Sequence, residues 1–244
     1  MAEQEGNDDK AITLYEQVTE GTHYYPALSR AAELRARDGD LDAALEQIRS
    51  VRAANPDDAA NLWLTEVNLL QSLDRHDMAV ETANEALAAY PENQSLLYAR
   101  SMSHEKLDNI DQALADLNTM VALAPDNSTA LNALGYVLTV HTERLSEART
   151  YIERALTLEP ENPAILDSMG WVLFRQGDTE GALEYLRRAY EIYPDPEIAA
   201  HYGEVLWQTD QQAQARVIWE RALDDDPDHE LLLETLDRLD IDDL

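Results

Sequence analysis

The stretch Ile165–Pro194, "ILDSMGWVLFRQGDTEGALEYLRRAYEIYP", contains two apolar stripes at helical spacing and a break between them. Leu166, Met169, Gly170 and Leu173 share one stripe; Ala182, Leu186 and Ala189 share the other. The break, "QGDTEG", reads as a turn joining two antiparallel helices. Gly170 and Ala182 stand where such helices would cross most closely, and Pro194 cannot continue the second helix. Trp171 follows Gly170 directly. One residue is about 100° round a helix, so its ring leaves the packing stripe. It is either filler between adjacent helices or a ring in a groove that meets a partner.

The same text recurs along the chain. Pro56, Pro91, Pro125, Pro160, Pro194 and Pro227 lie 35, 34, 35, 34 and 33 residues apart, in "RAANPDD", "LAAYPEN", "VALAPDN", "LTLEPEN", "YEIYPDP" and "LDDDPDH". Self-similarity at this period means stacked units, each too small to bury its own apolar face. The unit after Pro194 matches through Tyr202, Gly203, Leu206, Ala215, Trp219, Ala222 and Pro227. The unit before Pro163 matches through Leu134, Gly135, Leu138, Ala148, Ile152, Ala155 and Pro160, with one extra residue in its turn, "TVHTERLSEA". Earlier copies are worn but keep Ala32, Gly39, Ala44 and Ile48, then Trp63, Ala79 and Ala86, then Ala113 and Leu117. The pattern resembles the tetratricopeptide repeat (TPR), with a small residue in each helix and a closing proline. It predicts an all-α solenoid, a right-handed superhelix of antiparallel helix pairs. Six repeats would cover residues 25–227, at approximately 25–59, 60–93, 94–127, 128–162, 163–195 and 196–227.

The ends fit the same scheme. Residues 1–24 read as a disordered start followed by "DKAITLYEQVTEG", the second helix of a truncated repeat with Ala11, Tyr15 and Val18 in register. Half a repeat implies that others precede it and that Met1 is an arbitrary start. After Pro227, "DHELLLETLDRLDIDDL" reads as a capping helix and acidic tail. Leu231, Leu232, Leu236 and Leu239 would cover the last apolar face, leaving Asp237, Asp240, Asp242 and Asp243 in water.

Composition narrows the function. The 244 residues carry 49 acidic against 18 basic side chains, a formal charge of −31, with lysine only at positions 10 and 106. Such a surface repels phosphate backbones and anionic lipid, so neither nucleic acid nor direct membrane contact by this segment is expected. The closely related pentatricopeptide class, which reads single-stranded RNA, fails on the same ground. The acids are spread along the whole chain, which favours a solubility or salt-adaptation role over attraction to one basic partner. There are no cysteines, which excludes disulfides and thiolate chemistry but fits either redox compartment. No histidine stands in a metal-binding spacing, no phosphate loop follows Gly177 or Gly181, and no nucleophile motif appears. Each lone histidine, including those in "HEK" and "HYGE", reads as a surface or hydrogen-bonded core residue. The expectation is no enzyme, no metal and no cofactor.

In the superhelix that the resemblance implies, first helices line the concave face. Counting from the glycine-aligned position gives its lining: Ser29, Arg30 and Glu33; Leu64, Thr65 and Asn68; Tyr98, Met102 and Glu105; Asn132, Ala133 and Tyr136; Asp167, Trp171, Phe174 and Arg175; His201, Glu204 and Trp207. Asn68, Tyr98, Met102, Asn132, Tyr136, Trp171, Arg175, His201 and Trp207 are the candidate partner-binding residues. Rings with polar tips and amides between them suit an extended or helical peptide. Tyr136 and Trp171 divide evenly between binding and packing; Phe174 and Trp207, near helix ends, lean to packing, and Trp63, Tyr151, Tyr185 and Trp219 read as packing. Some TPR proteins clamp a peptide's terminal carboxylate with paired lysines and asparagines, but Leu64, Tyr98 and Asp167 stand at comparable places here.

The segment from Leu131 to Trp207 is similar, more particularly, to the C-terminal part of bacterial outer-membrane TPR lipoproteins. That resemblance implies an adaptor that binds a carboxyl-terminal processing protease in the periplasm and presents it to cell-wall hydrolases. It also implies a lipid anchor upstream in the full-length protein. The alternative from another class is a self-associating assembly scaffold, of an envelope or a cytoplasmic complex.

Overall fold

The structure is a computed structural model that describes residues 7–241. The expected disordered start therefore lies largely outside the described residues, as do Asp242 and Asp243. Fourteen α-helices and one short 3-10 turn make up the described chain, with no strand. Paired antiparallel helices form an all-α TPR-like solenoid closed by a C-terminal helix. They group into two compact units, residues 1–120 and 121–244.

The first unit holds α1 (Asp8–Glu16), α2 (Tyr24–Arg37), α3 (Leu41–Ala54), α4 (Ala59–Ser72), α5 (His76–Ala89), α6 (Gln94–Lys106) and most of α7 (Ile110–Leu123). Its core is built from small and branched residues at the recurring positions: Ala32, Ala44, Ile48, Val67, Leu70, Ala79 and Ala83. The lone leading helix α1 lays Ala11 on Leu34, with Ile12 and Tyr15 alongside. The second unit holds α8 (Ser128–His141), α9 (Leu145–Leu158), α10 (Pro163–Arg175), α11 (Thr179–Ile192), α12 (Pro196–Gln208), α13 (Gln212–Asp225) and α14 (Glu230–Arg238). Here α8, α10, α12 and α14 pack in sequence as one layer, each first helix lying against the next. The final helix buries Leu232 and Leu236 and leaves Asp237 and Asp240 exposed.

Local chemistry sets these limits. In three of the repeats an asparagine two residues after the proline caps the next first helix: the Asn93, Asn127 and Asn162 side chains accept from the amides of Leu96, Ala130 and Ala164. Pro163 and Pro196 occupy first-turn positions, where a missing amide hydrogen costs nothing. Within repeats, the turn residue has positive φ: Gly39, Asp74, Asp108, Gly177 and Asp210. The amide after each donates five residues back, as from Asp178 to the Leu173 carbonyl at 2.9 Å, which ends the helix in a Schellman arrangement. At Gly177, φ is +87° and a Cβ would meet nothing within 4 Å, so the glycine is needed for backbone conformation alone. Gly177→Ala is expected to cost about 1 kcal/mol in urea denaturation.

The turn with the extra residue is made differently. Thr142 is extended, its hydroxyl donating to the Leu138 carbonyl at 2.6 Å, and no left-handed residue closes α8. A carbonyl of that last turn is capped from the next repeat, by Arg175 Nη1 donating to Thr139 O at 2.9 Å.

Candidate peptide-binding face

Gly135, Gly170 and Gly203 set the orientation of α8, α10 and α12. Each is where its second helix comes closest: a Cβ would lie 2.4 Å from Ile152 Cγ1, 2.5 Å from Leu186 Cγ and 2.1 Å from Trp219 Nε1, respectively. With the glycine face turned to the second helix, the following residue (Tyr136, Trp171 or Glu204) turns away from it by about 100°.

Three of these first helices bring their side chains together. His201 on α12 and Asp167 on α10 are both almost fully buried, with Nδ1 donating to Oδ2 at 2.8 Å. The Trp171 ring stacks on the His201 ring with centroids 4.2 Å apart and planes inclined by 20°, and Phe174 lies tilted on Trp171 at 5.3 Å. Tyr136, from α8, stands 6.2 Å from His201, and its hydroxyl donates to the Glu197 carboxylate at the start of α12. Glu204 is held by Arg238 of α14 through two bonds of 2.8 and 2.6 Å and also accepts from Gln208 at 3.2 Å. Two acceptors in this region make no hydrogen bond, Asp167 Oδ1 and Asn132 Oδ1, although both atoms are buried.

The electrostatics follow from that crowding. Burial on its own would drive the His201 proton off, but the Asp167, Glu197 and Glu204 carboxylates overcome it and raise its pKa above the ordinary histidine value. Glu197 also titrates above the usual carboxylate range, chiefly through burial and then through Asp167; His201 and the Tyr136 hydroxyl only partly offset this. The face is therefore a buried ion pair roofed by rings, and no group of three ligating side chains among the described residues could hold a metal ion.

The other sequence-derived candidates fall elsewhere or are already engaged. Arg175 caps α8 and reaches Glu143 at 4.0 Å. Trp207 lies 5.7 Å from Trp219, with the Arg216 guanidinium 5.4 Å above its ring, between α12 and α13. Asn68 on α4 and Met102 on α6 are exposed, and Tyr98 on α6 is half-buried; these three belong to the first unit. That unit has buried charges of its own, Glu66 between Arg49 and Arg52 and Asp116 under Arg100, which no motif marked. Arg52 lies over the Trp63 ring at 3.2 Å.

Sequence models of the tetratricopeptide repeat match residues 29–94, 126–195 and 173–238. The chain belongs to the tetratricopeptide repeat family. It is 43% identical over 204 residues to the TPR repeat-containing protein PA4667 of Pseudomonas aeruginosa. That match covers 84% of the chain but only 35% of the relative, so the chain spans about a third of that protein's length. Two solved TPR structures share the fold. A protein from Parabacteroides merdae superposes with a TM-score of 0.72 at 16% identity, over 97% of this chain and 93% of its own. TTC0263 of Thermus thermophilus gives 0.65 at 22% identity, over 74% and 98%. This TPR chain is a non-catalytic protein-interaction module related to bacterial TPR proteins.

Proposed function

We propose that this TPR segment is an adaptor that takes a protein or peptide partner on the first-helix face of residues 121–241. The observation that carries the reading is the pair of half-buried rings, Tyr136 and Trp171, gathered on that face rather than sunk into the core. Rigid amphipathic rings anchor partners at low entropic cost. In keeping with the lipoprotein resemblance of Leu131–Trp207, the partner is a carboxyl-terminal processing protease, and cell-wall hydrolases are its substrates. The site of action is then the periplasm, with the segment tethered to the outer membrane through the full-length protein. Among the described residues no helix is long and apolar enough to cross a membrane.

The test is affinity capture from an envelope extract, comparing the wild type with Trp171→Ala, after circular dichroism has established equal helicity. Retention of a serine protease and cell-wall hydrolases by the wild type alone is the expected result. Equal retention by both would move binding to another face. If neither form retains them, the assembly-scaffold reading gains, in a cytoplasmic or an envelope complex; the exposed Leu158, Ile192 and Val217 on the second helices would then be the surface to examine.

A further inference from the structure

Around His201 the charges do not balance. Asp167, Glu197 and Glu204 face it from α10 and α12, and the cation from α14, Arg238, is committed to Glu204 through both of its bonds. Asp167 and Glu197 are left to share one imidazolium. Hydrogen bonding is unbalanced in the same sense: Asp167, with its side chain 5% exposed, uses Oδ2 on His201 and leaves Oδ1 with no donor. The Asn132 side-chain oxygen, at the equivalent position one repeat earlier, likewise has none. Buried acceptors without donors are costly, and a buried carboxylate beside another carboxylate more so.

We propose that this face holds a lysine or arginine side chain of its bound peptide, the cation resting against the Tyr136 and Trp171 rings with its charge toward Glu197 and Asp167. The inference deepens the adaptor reading and rests on it. Glu197 is the outer contact, because it is only half-buried at the first turn of α12; Asp167 lies behind it. One face of Trp171 is taken by His201, but the ring remains partly open to solvent, as does Tyr136. Aromatic faces and carboxylates together attract a cation more than either alone, and an ammonium or guanidinium brings the missing donors. An acidic side chain would meet like charge there, and a neutral amide would bring donors without charge. This polarity is opposite to that of a lysine-built carboxylate clamp.

The probe is a set of short Ala/Ser peptides, acetylated and amidated, that differ only at a central residue: arginine, lysine, citrulline, glutamine or glutamate. Each is titrated into the whole chain while NMR follows the Trp171 indole N–H and the Tyr136 ring. Arginine and lysine peptides should bind roughly fivefold tighter than the neutral ones, with glutamate weakest. Glu197→Gln should erase that preference; Glu180→Gln, an exposed acid on α11, should keep it. Equal binding of the arginine and citrulline peptides, or a preference that survives Glu197→Gln, overturns the cation site and leaves the peptide face standing. If no peptide moves these resonances, the face does not take peptides and both readings fall.

Discussion

Gly203→Ala should lower the stability of the second unit by about 3 kcal/mol, more than any other single methyl added at a small helix position. A Cβ at 203 would lie 2.1 Å from Trp219 Nε1, 2.3 Å from Cε2 and 2.8 Å from Cδ1. Trp219 has nowhere to go: it is completely buried, and Trp207 lies against it. Either α12 and α13 separate, or the indole leaves its rotamer; both break packing along the pair. The helix-propensity gain of about 1 kcal/mol for alanine over glycine is too small to offset this. At Gly170 the obstructing atoms belong first to the Leu186 side chain, which can shift, so Gly170→Ala should cost less. Gly135 falls between them, because β-branched Ile152 is stiffer than leucine and the Ala148 carbonyl stands at 2.9 Å. Urea denaturation should therefore rank the losses 203, 135, 170. Trp219→Phe should rescue part of the 203 loss in a double-mutant cycle, since it removes the ring that the methyl strikes. A Gly203→Ala protein within about 0.5 kcal/mol of wild type would show that the two helices can move apart freely.

The glycine positions also show which parts of the fold were legible in the sequence. Gly170 and Ala182 read as the crossing point because small residues recur at a fixed place in each period, and the structure puts Leu186 and the Ala182 carbonyl there. The asparagines that cap α6, α8 and α10 recur two residues after the closing proline, in "PEN" and "PDN", so the same period carries them. The left-handed turn residues were half-visible. Gly39 and Gly177 declare themselves, but Asp74, Asp108 and Asp210 take the same conformation in a chain where aspartate is everywhere. Abundance hid the signal.

The site was less legible, and the reason is geometrical. Reading outward from each glycine names Tyr136, Trp171 and His201, whose rings lie near one another. It does not find pairs, because partners on this face are close in space but a whole repeat apart in sequence. Asp167 and His201 are 34 residues apart, as are Glu204 and Arg238. In a stacked array a separation of one period plays the part that three or four residues play within a helix. Opposite charges set one period apart in neighbouring first helices are thus a usable signal. "HYGE" looked poor in ligands only because its partner lay in the preceding repeat. Arg175 is a related case: its partner, Thr139 O, lies 36 residues back, where the odd turn leaves a carbonyl to cap.

Asp167→Ala is the second large effect, and its size should depend on pH. Removing one partner of a buried ion pair costs on the order of 3–5 kcal/mol, because the other is left buried without compensation. In the wild type, His201 holds its proton more tightly folded than unfolded. That stabilisation is complete below the unfolded histidine value and is lost as pH rises through the higher folded value. In the variant the first carboxylate is gone, burial dominates more, and Glu197 and Glu204 alone favour the proton. Glu197 loses the like-charged neighbour that helps to raise its pKa, which returns a little of the loss. The gap between wild type and variant should therefore be widest below the unfolded histidine value and narrow as pH rises through the raised folded value, where the wild-type imidazole loses its proton. His201→Gln should flatten the wild-type profile over the same interval, since it removes the titrating group and keeps a donor for Asp167. Denaturation across this range checks both. A gap independent of pH would mean that Asp167 matters as a hydrogen-bond acceptor for a neutral ring, and the face would then carry two uncompensated carboxylates at all working pH values.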